Sequence, residues 1–302
     1  MKKSLSFLMK LVISIAILSF LILKAGPVNI YNSLIQIKSF AFFSIPLLFI
    51  LLIIGTLNVK ILFSPIKQIN FFKLFRYMFV GWSLGLFTPG KIGEFSTAYF
   101  LLKKENIPLG KGVSVLLLDK IITLLTLFLL ALLGFYLFLP KILFLSIFII
   151  LILFIIFIAI FFFTEVLRKL IKKYILRKHS EKFTGFSKTF VYFLKEKKSI
   201  LLLNFIITFF KLFIGALTAK IVFLALGYNI PIVFLILIHS AVTISILIPI
   251  SFNGIGITDA FYIFLLSYLS VNASIVIAHN LFMLITNYFI AFLSVLFLDN
   301  KN

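Results

Sequence analysis

The sequence predicts an all-α, polytopic membrane protein with about six full transmembrane helices and two re-entrant, broken-helix hairpins. Three observations predict it. Hydrophobic residues fill 63% of the 302 positions, with a mean hydropathy of +1.26, whereas water-soluble domains are about 45–50% apolar even with glycine counted. Several runs stay apolar for about 20 residues, the length that crosses ~30 Å of hydrocarbon. Two apolar stretches are interrupted by Gly, Pro and charged residues, which is costly at membrane depth unless the backbone lines a polar cavity or lies buried in protein. The whole chain, 1–302, reads as one integral membrane domain.

The elements follow in order. Met1-Lys2-Lys3 precedes an apolar run over about 5–23, longer than a signal-peptide core and without a small-x-small cleavage site, so it reads as a retained first span. Lys2, Lys3 and Lys10 place the N-terminus in the cytoplasm by the positive-inside rule. Residues 24–39 read as an outer loop and about 40–58 as the second span. Lys60, Lys67, Lys73 and Arg76 form a basic inner loop, with Phe71, Phe72, Leu74 and Phe75 suggesting a short interfacial helix.

The first broken stretch follows, Thr88-Pro89-Gly90-Lys91-Ile92-Gly93-Glu94. The apolar arms beside it are too short to cross alone. Lys103, Lys104 and Lys111 mark the same side again, so about 74–102 reads as a hairpin re-entering from the cytoplasm. About 112–139 runs outward and carries Asp119-Lys120 roughly two turns in. Pro140-Lys141 turns, and about 142–163 runs back. Residues 164–199 form the main basic loop, whose beginning, to Arg177, has the apolar spacing of a surface-lying amphipathic helix.

About 200–226 runs outward with Lys211 and Lys220 inside it. The second hairpin, about 231–269, has a tip at Pro249, Asn253-Gly254-Ile255-Gly256 and Asp259, and about 271–298 is the last span. Two broken segments entering from opposite faces would form inverted repeats, the arrangement in which transporter sites lie near the midplane.

A net charge of +21 from 29 Lys+Arg against 8 Asp+Glu is distributed over the short loops. Nucleic-acid binding is not expected, because no recognition motif accompanies the charge. The loops would instead meet anionic lipid headgroups of the cytoplasmic leaflet, at about 1 kcal/mol per Lys or Arg near the surface. The absence of cysteine removes disulfides, thiolate nucleophiles and Cys-ligated metals. His179, His239 and His279 are too isolated to announce a metal site, and no cofactor is expected. No nucleophile–base–acid set is visible, so an enzyme is not expected.

At the two tips and at Asp119-Lys120 the chain resembles the flippase-like membrane region of the lysylphosphatidylglycerol synthases and their stand-alone homologues. The family's Thr-Pro-Gly-x-x-Gly-Glu tip corresponds to residues 88–94, followed by Tyr99-Phe100-Leu101-Leu102. An acidic-basic pair opens the next span, and a late Pro, Gly-x-Gly and acid correspond to Pro249, Gly254, Gly256 and Asp259. The resemblance covers nearly the whole chain. Two positions depart from it: Thr97 and Thr258 stand where the family often has arginine. If those arginines hold a phosphate in relatives, headgroup choice differs here. The resemblance implies the lipid-translocating half of the two-part synthases, without the soluble aminoacyl-transferase.

Lys91, Gly93, Glu94, Asp119, Lys120, Lys211, Gly254, Gly256 and Asp259 are the candidate substrate-binding residues. Lys91 with the N–H groups of Ile92 and Gly93 offers a phosphate seat at the start of the second half-helix. Lys211 is too deep in its span to snorkel easily, with Gly215 and Thr218 on its face. The competing reading pairs each acid privately with Lys91, Lys120 or Lys211, and uses the glycines for close helix packing. The expected function is movement of an amphiphilic lipid, a phospholipid or polyprenyl-phosphate-linked lipid, between leaflets of the plasma membrane, with both termini cytoplasmic. The alternative is a membrane anchor or accessory subunit for a lipid-modifying enzyme.

Overall fold

Long apolar runs fold as helices in a membrane because every backbone polar group must be satisfied within the segment. The computed structural model describes residues 2–138, 141, 142, 144–146, 148, 149, 152, 153, 185–245 and 251–297; no strand occurs among them. The elements are α1 (Lys2–Ala25), α2 (Pro27–Ile35), a 3-10 turn (Ser39–Phe43), α3 (Ser44–Phe63), α4 (Phe71–Leu86), a second 3-10 turn (Pro89–Phe95), α5 (Ser96–Glu105) and α6 (Leu109–Phe138). After the undescribed stretch come α7 (Phe186–Glu196), α8 (Lys198–Ala225), α9 (Ile232–Ser245), α10 (Ile257–Ser267), α11 (Ala273–Leu293) and a closing 3-10 turn (Ser294–Phe297).

Among the described residues, four helical stretches are long and apolar enough to cross a membrane: Ser39–Phe63, Leu109–Leu137, Lys198–Ala225 and Ala273–Phe297. A fifth is added if the bent pair Met9–Ala25 and Pro27–Ile35 is one span. The chain is a multi-pass, all-α membrane protein. The crossing expected over about 142–163 lies mostly outside the described residues. So do the amphipathic helix expected over about 164–177 and Pro249 of the second tip.

Three expectations change. The outer loop over 24–39 is largely helical: α1 ends at Gly26, whose φ of 87° breaks the helix, and Pro27 starts α2 at once, 84° away. The interfacial helix around Phe71–Arg76 is not separate; it is the first turn of α4, capped by Asn70 Oδ1, which accepts from the Phe72 and Lys73 N–H groups. The end of the basic loop is a helix as well, α7, seated by Thr189, Phe190 and Phe193.

The two largest apolar cores among the described residues lie on either side of the polar stretch of α6. The first joins Val59, Leu62 and Phe63 of α3, Leu74 of α4, Leu101 of α5, Val115 and Leu118 of α6 and Phe193 of α7. The second joins Ala131 of α6, Phe223 of α8, Ile238 of α9, Leu265 of α10 and Val276 of α11. Asp119, Lys120 and Thr123 fall between them along α6, and Asn204, Thr208 and Lys211 precede the second core along α8. The polar residues therefore occupy a layer between two oily ones.

The second tip is anchored to α1. Ser14 Oγ accepts from the Phe252 N–H at 2.6 Å and is buried. A Cβ on Gly256 would stand 2.8 Å from Ile17 Cβ. Ser14→Ala should orphan the Phe252 N–H and destabilise the fold by about 1–3 kcal/mol. Thermal unfolding of the purified variant checks this.

Candidate functional site

The first tip is shaped by close backbone approach. Gly81, Gly85 and Gly93 let the two arms of the 71–105 segment touch. A Cβ on Gly93 would lie 2.5 Å from the Leu84 carbonyl carbon, and one on Gly85 would lie 2.7 Å from Glu94 Cγ. Thr88 ties the turn: its Oγ1 accepts from the Gly93 N–H at 2.7 Å and faces the Leu84 carbonyl at 3.2 Å. The Gly93 N–H is thus not free to seat a phosphate, which corrects the expected use of that backbone. Gly90 (φ 62°) and Lys91 (φ 56°) are left-handed. For a lysine this is an unusual and strained conformation, the kind that clusters at functional sites.

That turn delivers Lys91 and Glu94 to α6 and α8. The Glu94 carboxylate forms an ion pair with the Lys120 ammonium. Lys91 and Lys211 both lie within electrostatic reach of Glu94 and of Lys120. Neither Lys91 nor Lys211 makes an ion pair within 4 Å among the described residues. Lys211 is the 14th of the 28 residues of α8, so it sits ~20 Å from either helix end. The Lys120 side chain nevertheless keeps 44% of its surface open and Glu94 keeps 16%. A charge layer this deep with this much open surface is not a sealed ion pair.

Asp119, one residue before Lys120, turns away from this charge layer. It is buried between α3 and α8, where its Oδ1 accepts from Asn58 Nδ2 at 3.1 Å and Asn204 Nδ2 at 3.2 Å. Asn58 Nδ2 also donates to Thr208 Oγ1 at 3.0 Å. Lys211 remains within electrostatic reach of Asp119.

Asp259 belongs to the second tip. Its Oδ2 accepts from the Gly256 N–H at 2.8 Å, and its Oδ1 accepts from Asn280 Nδ2 of α11 at 2.7 Å. Gly254 and Gly256 take positive φ (81° and 84°) to make the turn. The Gly256 N–H is therefore also occupied. Beside this group His279 stacks on Phe223 with ring centroids 4.1 Å apart, and its Nδ1 meets Asn280 Oδ1 at 2.9 Å. His239 Nδ1 meets the Tyr262 hydroxyl at 2.9 Å, and Lys91 is within its electrostatic reach.

The structure therefore brings Lys91, Glu94, Lys120 and Lys211 together, with Asp119 behind them, and sets Gly254, Gly256 and Asp259 apart. The two tips meet at one residue that sequence reading passed over. Tyr288 of α11 donates to the Leu86 carbonyl at 3.2 Å, and the Asn253 side chain lies at its hydroxyl. Asn58, Asn204 and Thr208 were also missed; Asn204 and Thr208, four apart in an apolar run, were the available signal. Neither threonine at the departing positions enters the charge cluster. Thr97 is buried against Gly81 and donates to the Tyr77 carbonyl at 3.2 Å, while Thr258 donates to the Gly254 carbonyl at 3.0 Å. An arginine at 97 would not fit that contact without moving α4.

No group of three or more His, Cys, Asp or Glu side chains among the described residues could hold a metal. No curated protein and no solved structure matches the chain. A sequence model of one family does, over residues 7–294, and it spans both tips and the whole charge layer. The chain belongs to the family described as the lysylphosphatidylglycerol synthase TM region.

Proposed function

We propose that this protein moves an amphiphilic, phosphate-bearing lipid between the leaflets of a plasma membrane, the headgroup passing through a polar indentation at the charge layer while the tails stay in the bilayer. The family relation supports a lipid-related membrane role. The observation that carries the finer reading is the set of three lysines held around Glu94 at mid-span with surface left open. A charged side chain at a helix centre costs about 2.5–3.5 kcal/mol on insertion scales. Three lysines at that depth would forfeit much of the ~5–15 kcal/mol by which a domain is stable, unless water or an anion meets them.

Lys91, Lys120 and Lys211 would hold the phosphate oxygens, and Glu94 would hold the lysines together and release them in turn to the headgroup. The tips would enter from opposite faces as re-entrant hairpins and meet at Tyr288. Both termini would be cytoplasmic, by the distribution of Lys and Arg in the short loops. The test is reconstitution into vesicles carrying a headgroup-labelled anionic phospholipid in one leaflet. Accelerated exposure of the label, beyond protein-free vesicles, is expected. A rate equal to that of protein-free vesicles, with the protein correctly inserted, contradicts the reading.

A further inference from the structure

The polar junction of α3, α6 and α8 has more oxygen than it uses. These three helices pack against one another. The Asn58 and Asn204 side chains, both fully buried, place their nitrogens on the same carboxylate oxygen of Asp119. Their own Oδ1 atoms are buried and have no protein partner. The Thr123 Oγ1 is likewise buried without a partner, and it lies four residues beyond Asp119, on the same face of α6. Thr208 Oγ1 completes the group. Native structures leave few buried polar atoms unsatisfied, so three at one junction call for an explanation.

We propose that Asp119, Asn58, Asn204, Thr208 and Thr123 form a binding site for a sodium ion. Every donor is a hard oxygen, which excludes the thiolate- and imidazole-preferring metals. One carboxylate among neutral oxygens suits a monovalent rather than a divalent ion, and that ion would compete with Lys211 and Lys120 for Asp119. Calcium takes six to eight oxygens, commonly with several carboxylates, and magnesium keeps several waters in a strict octahedron. The small number of protein oxygens favours sodium over the larger potassium ion.

The amides supply a physical switch. Here their nitrogens face the carboxylate. Amide oxygen and nitrogen are nearly isosteric, and the terminal torsion of Asn is broad and roughly two-fold. A half-turn of each amide presents both Oδ1 atoms to an ion seated at Asp119, with no change of packing volume.

The site also has a route to the charge cluster. The charged groups facing Asp119 are Lys120 and Lys211, and both also sense Glu94. A sodium ion at Asp119 neutralises the carboxylate that draws Lys211 back, leaving Lys211 to the indentation and to any anion in it. This last coupling rests on the proposed lipid movement; the ion site itself does not.

The test is thermal unfolding of the purified chain in detergent, in NaCl, KCl or choline chloride at equal ionic strength. A midpoint that rises with sodium concentration is expected, since an ion that binds only the folded state stabilises it by mass action. Thr123→Val removes a buried hydroxyl that has no protein partner, so the variant should fold and bind sodium about tenfold more weakly. Asp119→Asn should abolish the response. Equal midpoints in all three salts overturn the proposal. So does a potassium response as large as the sodium one, or a Thr123→Val variant with unchanged sodium affinity. A midpoint that follows pH but not sodium means that Asp119 takes a proton, and also overturns it. Vesicle assays with and without sodium separate the two readings. Sodium binding without any lipid movement contradicts the proposed function and leaves the ion site standing; lipid movement indifferent to bound sodium overturns the coupling alone.

Discussion

Replacing Glu94 with glutamine is expected to slow lipid movement in reconstituted vesicles at least about tenfold, equivalent to ~1.4 kcal/mol on the barrier, with the amount of protein in the membrane unchanged. Glutamine keeps the shape that fits against Gly85 but removes the only carboxylate paired with Lys120 among the described residues. The cluster of Lys91, Lys120, Lys211, Glu94 and Asp119 then gains one unit of positive charge. An anionic headgroup would bind more tightly and leave more slowly. The fold should tolerate the change, because the Lys120 side chain keeps 44% of its surface open and the proposed route would let water screen the lost pair. Native mass spectrometry should find more anionic lipid retained on the variant. Unchanged movement would contradict the role given to Glu94.

The second large effect is expected at Gly93. Its added Cβ in Gly93→Ala would meet the Leu84 carbonyl carbon at 2.5 Å and the Gly85 nitrogen at 2.8 Å. These are backbone atoms, which cannot swing aside as a side chain does. The arms must separate, and Thr88 then loses its bond to the residue-93 N–H. Overpacking of this kind costs about 1–3 kcal/mol. Thermal unfolding in detergent should show a lower midpoint, and lipid movement should fall because Glu94 is carried out of register with Lys120. Gly90→Ala is the informative contrast: nothing lies within 4 Å of its added Cβ, and only its φ of 62° opposes the change. It should be the milder of the two.

Much of this was legible in the sequence, for particular reasons. Breakers and charges in an apolar run are loud, so both tips and the pairing of Glu94 with a nearby lysine could be anticipated. The α1–α2 bend was quieter, because Lys24, Asn29, Asn32 and Ser33 made a helix look like a loop. The partition of the site could not be read at all. Asp119 and Lys120 are adjacent in sequence, yet successive helical residues point about 100° apart, so one enters the α3–α8 junction and the other meets Glu94. Asn58 and Asn204 are 146 positions apart and are united only by tertiary packing. The two threonines at 97 and 258 looked like losses of function-bearing arginines. In the fold each serves its own backbone, Thr97 because Gly81 leaves room for a small side chain and no more.

The central claim is that the charge layer between the two apolar cores is open to water from within the membrane. The cysteine-free chain makes this directly measurable by placing single cysteines at Lys91, Lys211 and Gly215, with Ile238 (1% exposed) as the buried reference, and treating intact vesicles with a charged, membrane-impermeant thiol reagent from each side. Labelling at 91, 211 and 215 with none at 238 is the predicted result. Protection of all four positions from both sides, in protein that is folded and inserted, would contradict the account.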